Sequence, residues 1–162
     1  MGTGKQLVVG IGDMKLGRQE GTIITYALGS CIGIALYDPM IKLGALVHIM
    51  LPERVNSDAN IFKYADTGVR ETLRKLYAYG AAKNRLTAKI AGGAKMFDMK
   101  GKSSAMGNIG ERNAQTVKKV LMQEGIQIVK EDTGANYART MSIDLATGMV
   151  LVKTFGRPEL RM

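Results

Sequence analysis

The chain has a single cysteine and a single histidine among its 162 residues. One thiol cannot close an internal disulfide, so a disulfide-stapled scaffold is excluded. One Cys and one His also cannot build a structural zinc site, which draws three or four ligands mostly from these two residue types. Tryptophan is absent and aromatics make up only 6% of the chain, which leaves few flat platforms for stacking single-stranded bases. Long apolar runs are missing as well. The longest early one, Leu7–Gly12, is too short for a signal peptide or a membrane span. The expectation is a cytoplasmic protein with no export signal and no membrane insertion.

What is present suits a globular fold. Apolar residues at 46% and charged residues at 23% are enough to build and solvate a core. The length predicts one domain spanning residues 1–162. Lys and Arg outnumber Asp and Glu by 23 to 14, for a net charge of +9 that attracts polyanions. The basic residues are scattered, however. The densest groupings are Lys83, Arg85 and Lys89, then Lys95, Lys100 and Lys102, with Lys118–Lys119 on a predicted helix. No zinc-finger spacing, basic-region heptad or RNP-like aromatic motif accompanies them. The expectation is a solvated basic surface that does not take nucleic acid and stays open to an acidic protein partner.

Along the chain, Gln6–Gly12 reads as a short strand and Asp13–Gly21 as a polar connection. Thr22–Leu28, rich in β-branched residues, reads as a strand, and Cys31–Asp38 resumes the pattern after Gly29-Ser30. Asp38-Pro39 signals a turn, and Leu43–Leu51 returns as the next strand. Ala65, Val69, Leu73 and Leu76 recur at helical spacing within Tyr64–Tyr79, with Gly80 as the stop. Leu86–Ala91 reads as a strand, Met96–Gly110 as a loop and Arg112–Glu124 as a second helix. Ile126–Lys130, Tyr137–Asp144 and Met149–Lys153 are the last predicted strands. The pattern predicts one α+β domain without repeats or linkers.

The lone Cys and lone His fall on the two strands joined by the Asp38-Pro39 turn. A two-residue loop would pair Asp38 with Ile41 and set Cys31 directly opposite His48 on one face, with Cβ atoms ~4.5–5.5 Å apart. A three-residue loop would put them on opposite faces. On the same face, an imidazolium would lower the thiol pKa, and the imidazole could act as general acid and base. Gly29 permits unusual backbone angles, and N–H groups around Ser30 and Cys31 could receive an oxyanion. Thr25, on the preceding strand, is the candidate third group. The inert alternative is a cysteine packed as a small hydrophobe and a core histidine satisfied by a carbonyl.

These residues sit inside blocks that resemble one family over nearly the whole chain. The blocks are VVGIGD at Val8–Asp13, Thr25, LGSCIGIALYDP at Leu28–Pro39, GALVHIMLP at Gly44–Pro52 and KYADTGV at Lys63–Val69. KIAGGAKMF at Lys89–Phe97, NIGERN at Asn108–Asn113, EDTGANYAR at Glu131–Arg139 and DLATGMVLVK at Asp144–Lys153 complete them. In this order they are similar to the CheD chemoreceptor glutamine deamidases of bacterial and archaeal chemotaxis.

The resemblance implies Cys31 as nucleophile, His48 as base and Thr25 as the group that orients the imidazole. It implies, as substrate, glutamine side chains on the cytoplasmic helices of methyl-accepting chemoreceptors, converted to glutamate without metal or cofactor. The implied fold is α+β, a β-sandwich-like mixed or antiparallel core with flanking helices, similar to cysteine deamidase toxins. A CheC-type phosphatase is the implied regulatory partner. Its candidate surface is the segment Gly92–Arg112, with Gly92, Gly93, Met96 and Phe97 foremost. One departure stands out: Ala135 occupies a place where the family pattern has glycine. The rival expectation is a non-catalytic binding module of the same signalling system, whose cysteine merely packs.

Overall fold

Two adjacent strands, Ile32–Asp38 and Leu43–Ile49, are buried along their entire length, and the remaining elements cover both of their faces. The computed structural model describes residues 5–96 and 108–162, so Phe97 and the lysines at 100 and 102 lie outside the described residues. In chain order the strands begin with β1 (Gln6–Val9), β2 (Asp13–Arg18), β3 (Thr22–Leu28), β4 (Ile32–Asp38) and β5 (Leu43–Ile49). A 3-10 turn (Ile61–Lys63) leads into α1 (Ala65–Ala78), followed by β6 (Thr87–Gly92) and α2 (Ile109–Gln123). The chain then adds β7 (Gln127–Thr133), β8 (Arg139–Asp144), β9 (Val150–Lys153) and β10 (Leu160–Arg161).

The strands form two five-stranded mixed sheets, β1-β3-β8-β9-β10 and β2-β5-β4-β6-β7. Only β1–β3 and β6–β7 pair in parallel; the other pairs are antiparallel. The period-two alternation of β4 and β5 sorts their side chains between two cores. Ile32, Ile34 and Leu36, with Ala45, Val47 and Ile49, pack against Val69, Leu73 and Leu76 of α1 and Val117 and Leu121 of α2. Ala35, Tyr37 and Leu46 face the other way, onto Ile23, Leu28, Met141, Ile143 and Val152 of the first sheet. The α+β expectation of a sandwich-like core with flanking helices is what the structure has: helices, second sheet, first sheet.

Four strand expectations need correction. The segment from Asp13 is a strand, β2, where the sequence suggests a connection; as an edge strand its residues are only half-buried, so its alternation is faint. β7 runs on to Thr133 through mostly exposed residues at the other edge of the same sheet, well past Lys130. The short edge strand β10 carries no pattern at all and was not expected. Cys31 lies just before β4 rather than within it.

The hairpin between β4 and β5 also differs from both loop lengths considered. Asp38 pairs with Leu43, so Pro39–Lys42 form a four-residue loop. Lys42 closes it in the left-handed region at φ 50°. His48 is consequently opposite Gly33, and Cys31 is one diagonal step away. The shift preserves parity, so both residues stay on one face.

Candidate active site

The layer between the two sheets collects the three residues. His48 has the same strand parity as Leu46, so its ring enters the inter-sheet layer, where it is fully buried. Cys31 is half-buried against the same inter-sheet cluster. Thr25 reaches that layer from the opposite sheet, from the middle of β3, and is also fully buried. Its Oγ1 is 2.7 Å from His48 Nδ1 and donates its proton to Val9 O, also at 2.7 Å.

That pair of contacts settles the tautomer. A threonine hydroxyl carries one hydrogen, and here it is spent on the Val9 carbonyl. Oγ1 must therefore accept from Nδ1–H, which leaves Nε2 unprotonated with its lone pair free. Nε2 is buried and has no hydrogen-bond partner among the described residues. Burial pushes the imidazole pKa down from 6.5 to about 4. Burial also pushes the Cys31 thiol pKa up, opposed by its own backbone N–H. Burial thus favours the neutral form of each group, since desolvation disfavours the charge pair. The arrangement places an imidazole with a free Nε2 lone pair in the same layer as a thiol.

The turn that carries Cys31 is shaped by neighbours on one side. Between Thr25 and Leu28 two residues of β3, Tyr26 and Ala27, oppose one of β8, Thr140, a bulge that puts Ala27 at φ 58° and turns the chain. Gly29 N–H closes a tight turn on Ala27 O. Gly29 O accepts from Ala94 N at 2.8 Å, and Ser30 O accepts from Asn113 Nδ2 at 2.9 Å. In a trans peptide the C=O and the following N–H point in opposite directions. The Ser30 and Cys31 N–H groups are thereby aimed away from these partners, and neither meets a protein oxygen among the described residues.

Gly92 and Gly93 are buried, so they present no surface to a partner. Gly93 N–H donates to Cys31 O at 2.8 Å, and a Cβ on Gly92, at φ 117°, would collide with that same oxygen. Their role in the structure is to support the Cys31 turn. Met96 is exposed, and its side chain lies over Gly29, 3.2 Å from where a Cβ would stand.

Two buried polar residues of the site escape sequence reasoning. Asn113 is fully buried and bridges Ser30 O and Met50 O. Arg139 is 2% exposed; it donates from Nε to Asp132 at 3.0 Å and from Nη1 to Gly134 O at 2.9 Å and Gly92 O at 3.3 Å. The blocks NIGERN and EDTGANYAR contain them, but charged and amide residues in such stretches ordinarily read as solvent-facing. No group of three or more His, Cys, Asp or Glu among the described residues could hold a metal ion. No helix among them is long and apolar enough to cross a membrane.

Comparison with known proteins identifies the family. A family model described as CheD chemotactic sensory transduction matches residues 50–154. The chain is 48% identical over 157 residues to a probable chemoreceptor glutamine deamidase CheD of Syntrophomonas wolfei, covering 96% of this chain and 97% of that one. It is similar to proteins of the same description from Moorella thermoacetica, 45% identical with 95% and 93% coverage, and from Pyrococcus abyssi, 48% identical with 92% and 91% coverage. With well over half its length inside the family model, and relatives in bacteria and an archaeon alike across nearly all of it, the chain belongs to the CheD family.

Proposed function

We propose that this protein is a cysteine-dependent hydrolase that deamidates glutamine side chains of chemoreceptors to glutamate, releasing ammonia, within the chemotaxis system. The observation that carries the reading is the Thr25 Oγ1–His48 Nδ1 hydrogen bond at 2.7 Å, which leaves a bare Nε2 lone pair in the layer Cys31 faces. A core histidine kept for packing would have both ring nitrogens satisfied.

In this mechanism Cys31 Sγ attacks the side-chain amide carbon while His48 Nε2 takes the thiol proton. The resulting imidazolium is held by Nδ1–H donating to Thr25. The Ser30 and Cys31 N–H groups receive the tetrahedral oxyanion. Burial makes the imidazolium a stronger acid than a free one, so it hands its proton to the departing nitrogen, and the C–N bond breaks to give ammonia and a thioester. A water molecule then attacks the thioester carbon as Nε2 takes its proton; the C–S bond breaks, the thiol is re-formed and glutamate leaves. General acid–base assistance of this kind contributes about 10²–10⁴-fold.

The net charge of +9 favours docking on acidic receptor helices in the cytoplasm, while the scatter of the basic residues and the scarcity of aromatics speak against a nucleic-acid role. A CheC-type phosphatase is the proposed regulatory partner, with the exposed Met96 at the rim of the site as its contact. The test is intact-mass analysis of a receptor cytoplasmic fragment incubated with the enzyme. Conversion of each amide to acid gives a defined mass gain, expected with the wild type and absent with Cys31→Ala and His48→Ala. Undiminished conversion by Cys31→Ala rejects Cys31 as the nucleophile, and no conversion by the wild type favours a non-catalytic binding module.

A further inference from the structure

The β4–β5 ladder ends at the Ile32–Ile49 pair. In register Cys31 and Met50 would pair next, but the two chains part there. Each branch is claimed by a different neighbour. Cys31 O and Gly29 O accept from Gly93 N and Ala94 N, both at 2.8 Å, so the thiol-bearing turn is tied to the chain leaving β6. Met50 N and Leu51 N donate to Lys63 O at 2.8 and 3.1 Å, so the exit from the imidazole-bearing strand is tied to the 3-10 turn. The thiol therefore hangs on a branch outside the ladder, while the imidazole of His48, paired with Gly33, stands on the rung just before the fork.

One side chain spans the fork. Asn113 of α2 donates from Nδ2 to Ser30 O and to Met50 O, each at 2.9 Å. Those carbonyls belong to the residue before the thiol and the second residue after the imidazole. A primary amide suits the task, since one uncharged nitrogen carries two diverging hydrogens and serves both carbonyls. The residue also carries a cost that packing does not explain: Asn113 Oδ1 is buried with no partner among the described residues. An apolar side chain could fill the volume without it. Gly110, three residues earlier on the same helix face, lets α2 approach this closely, because a Cβ there would stand only 2.6 Å from Gly93 O.

We propose that Asn113 is a positioning residue that sets the separation of Cys31 from His48 by clamping the two branches together at the point where their backbone pairing fails. The inference rests on the thiol–imidazole reading given above. It assigns Asn113 no contact with substrate; its effect passes through the geometry of the Cys31 turn. Displacements of about 1 Å at such a site cost on the order of 10²-fold in rate.

The test is a double-mutant cycle read by iodoacetamide alkylation of the sole thiol across pH, using the intact protein. Wild type, His48→Ala, Asn113→Ala and the double variant are compared, with thermal unfolding of each as control. His48→Ala is expected to slow alkylation in the wild-type background. Asn113→Ala is expected to slow it about tenfold or more, and adding His48→Ala to that variant is expected to change little, because the pair is already uncoupled. Asn113→Ser, with one donor for two carbonyls, gives an intermediate rate and keeps the cycle readable if the alanine variant does not fold. If either Asn113 variant loses thermal stability but retains the full His48 dependence, the residue is merely structural and the positioning role is overturned. If His48→Ala leaves alkylation unchanged in the wild type, the thiol–imidazole reading itself falls, and the clamp with it.

Discussion

Acidification through the range between the free and the buried imidazole pKa should destabilise the fold, and the upper part of that loss should be traceable to His48. In the unfolded chain His48 takes up a proton near pH 6.5; in the folded protein it does so only near about pH 4. Between those values the unfolded state binds more protons, so stability rises with pH and is lost as pH falls. The slope approaches about 1.4 kcal/mol per pH unit, and over the whole window the loss is about 3 kcal/mol. That is a large fraction of the roughly 5–15 kcal/mol typical of a domain. Carboxylates held low by cationic or backbone partners, Asp38 beside Arg85 and Glu131 beside Lys118, add their own acid lability. They do so chiefly below about pH 5, where an unperturbed carboxylate begins to protonate. The upper part of the window belongs to the imidazole. Urea unfolding at closely spaced pH values, for wild type and His48→Asn, isolates it. The asparagine amide can still donate to Thr25 but does not titrate. The wild-type curve should fall away from that of the variant as pH drops below about 6.5. Parallel curves throughout would refute the claim that the ring is buried neutral.

The remaining predictions concern single side chains. Thr25→Val keeps the shape but strips His48 Nδ1–H and Val9 O of their partner. A stability loss of roughly 2 kcal/mol or more is expected by chemical denaturation, with deamidation falling much further than the same variant's secondary-structure signal. Thr25→Ser, which keeps the hydroxyl, should recover most of both. Ala135 sits at φ 61° and its carbonyl accepts from Lys95 N at 2.9 Å, so the place where the family pattern has glycine is a left-handed one. Ala135→Gly should relieve about 1 kcal/mol of backbone strain, partly offset by the added freedom of the unfolded chain. A small rise in Tm with unchanged activity is expected, and a drop in Tm would contradict the strain.

The elements most legible in the sequence are those whose surroundings are uniform. β3, β4 and β5 are β-branched or continuously apolar because at least one face is sealed, and α1 shows its stripe because one face meets β5. Edge strands break that link. β2 and β7 border the second sheet and carry Lys15 or Lys130-Glu131-Asp132 where an interior strand would carry valine, so periodicity has little to register there. The hairpin register was undecidable for a narrower reason: the loop closes through a left-handed lysine, Lys42, and no glycine or asparagine marks that position.

The site is harder to read because its contacts do not follow chain spacing. Thr25 and His48 belong to different sheets, so no rule of strand pairing relates them; only a known family pattern ties them together before the fold is seen. Asn113 is further still, a polar residue on a helix whose inward position depends on Gly110 meeting Gly93. The same layering accounts for the chemistry. Because β5 is covered on both faces, an imidazole on its inner face is stripped of water, and its proton acceptor strength at Nε2 is set by one hydrogen bond to the opposing sheet. A site of this construction gains a base that stays unprotonated through the physiological range. The same burial makes that base dependent on the two sheets staying in place, since sliding one against the other would carry Thr25 Oγ1 beyond hydrogen-bond reach and leave Nδ1–H without an acceptor.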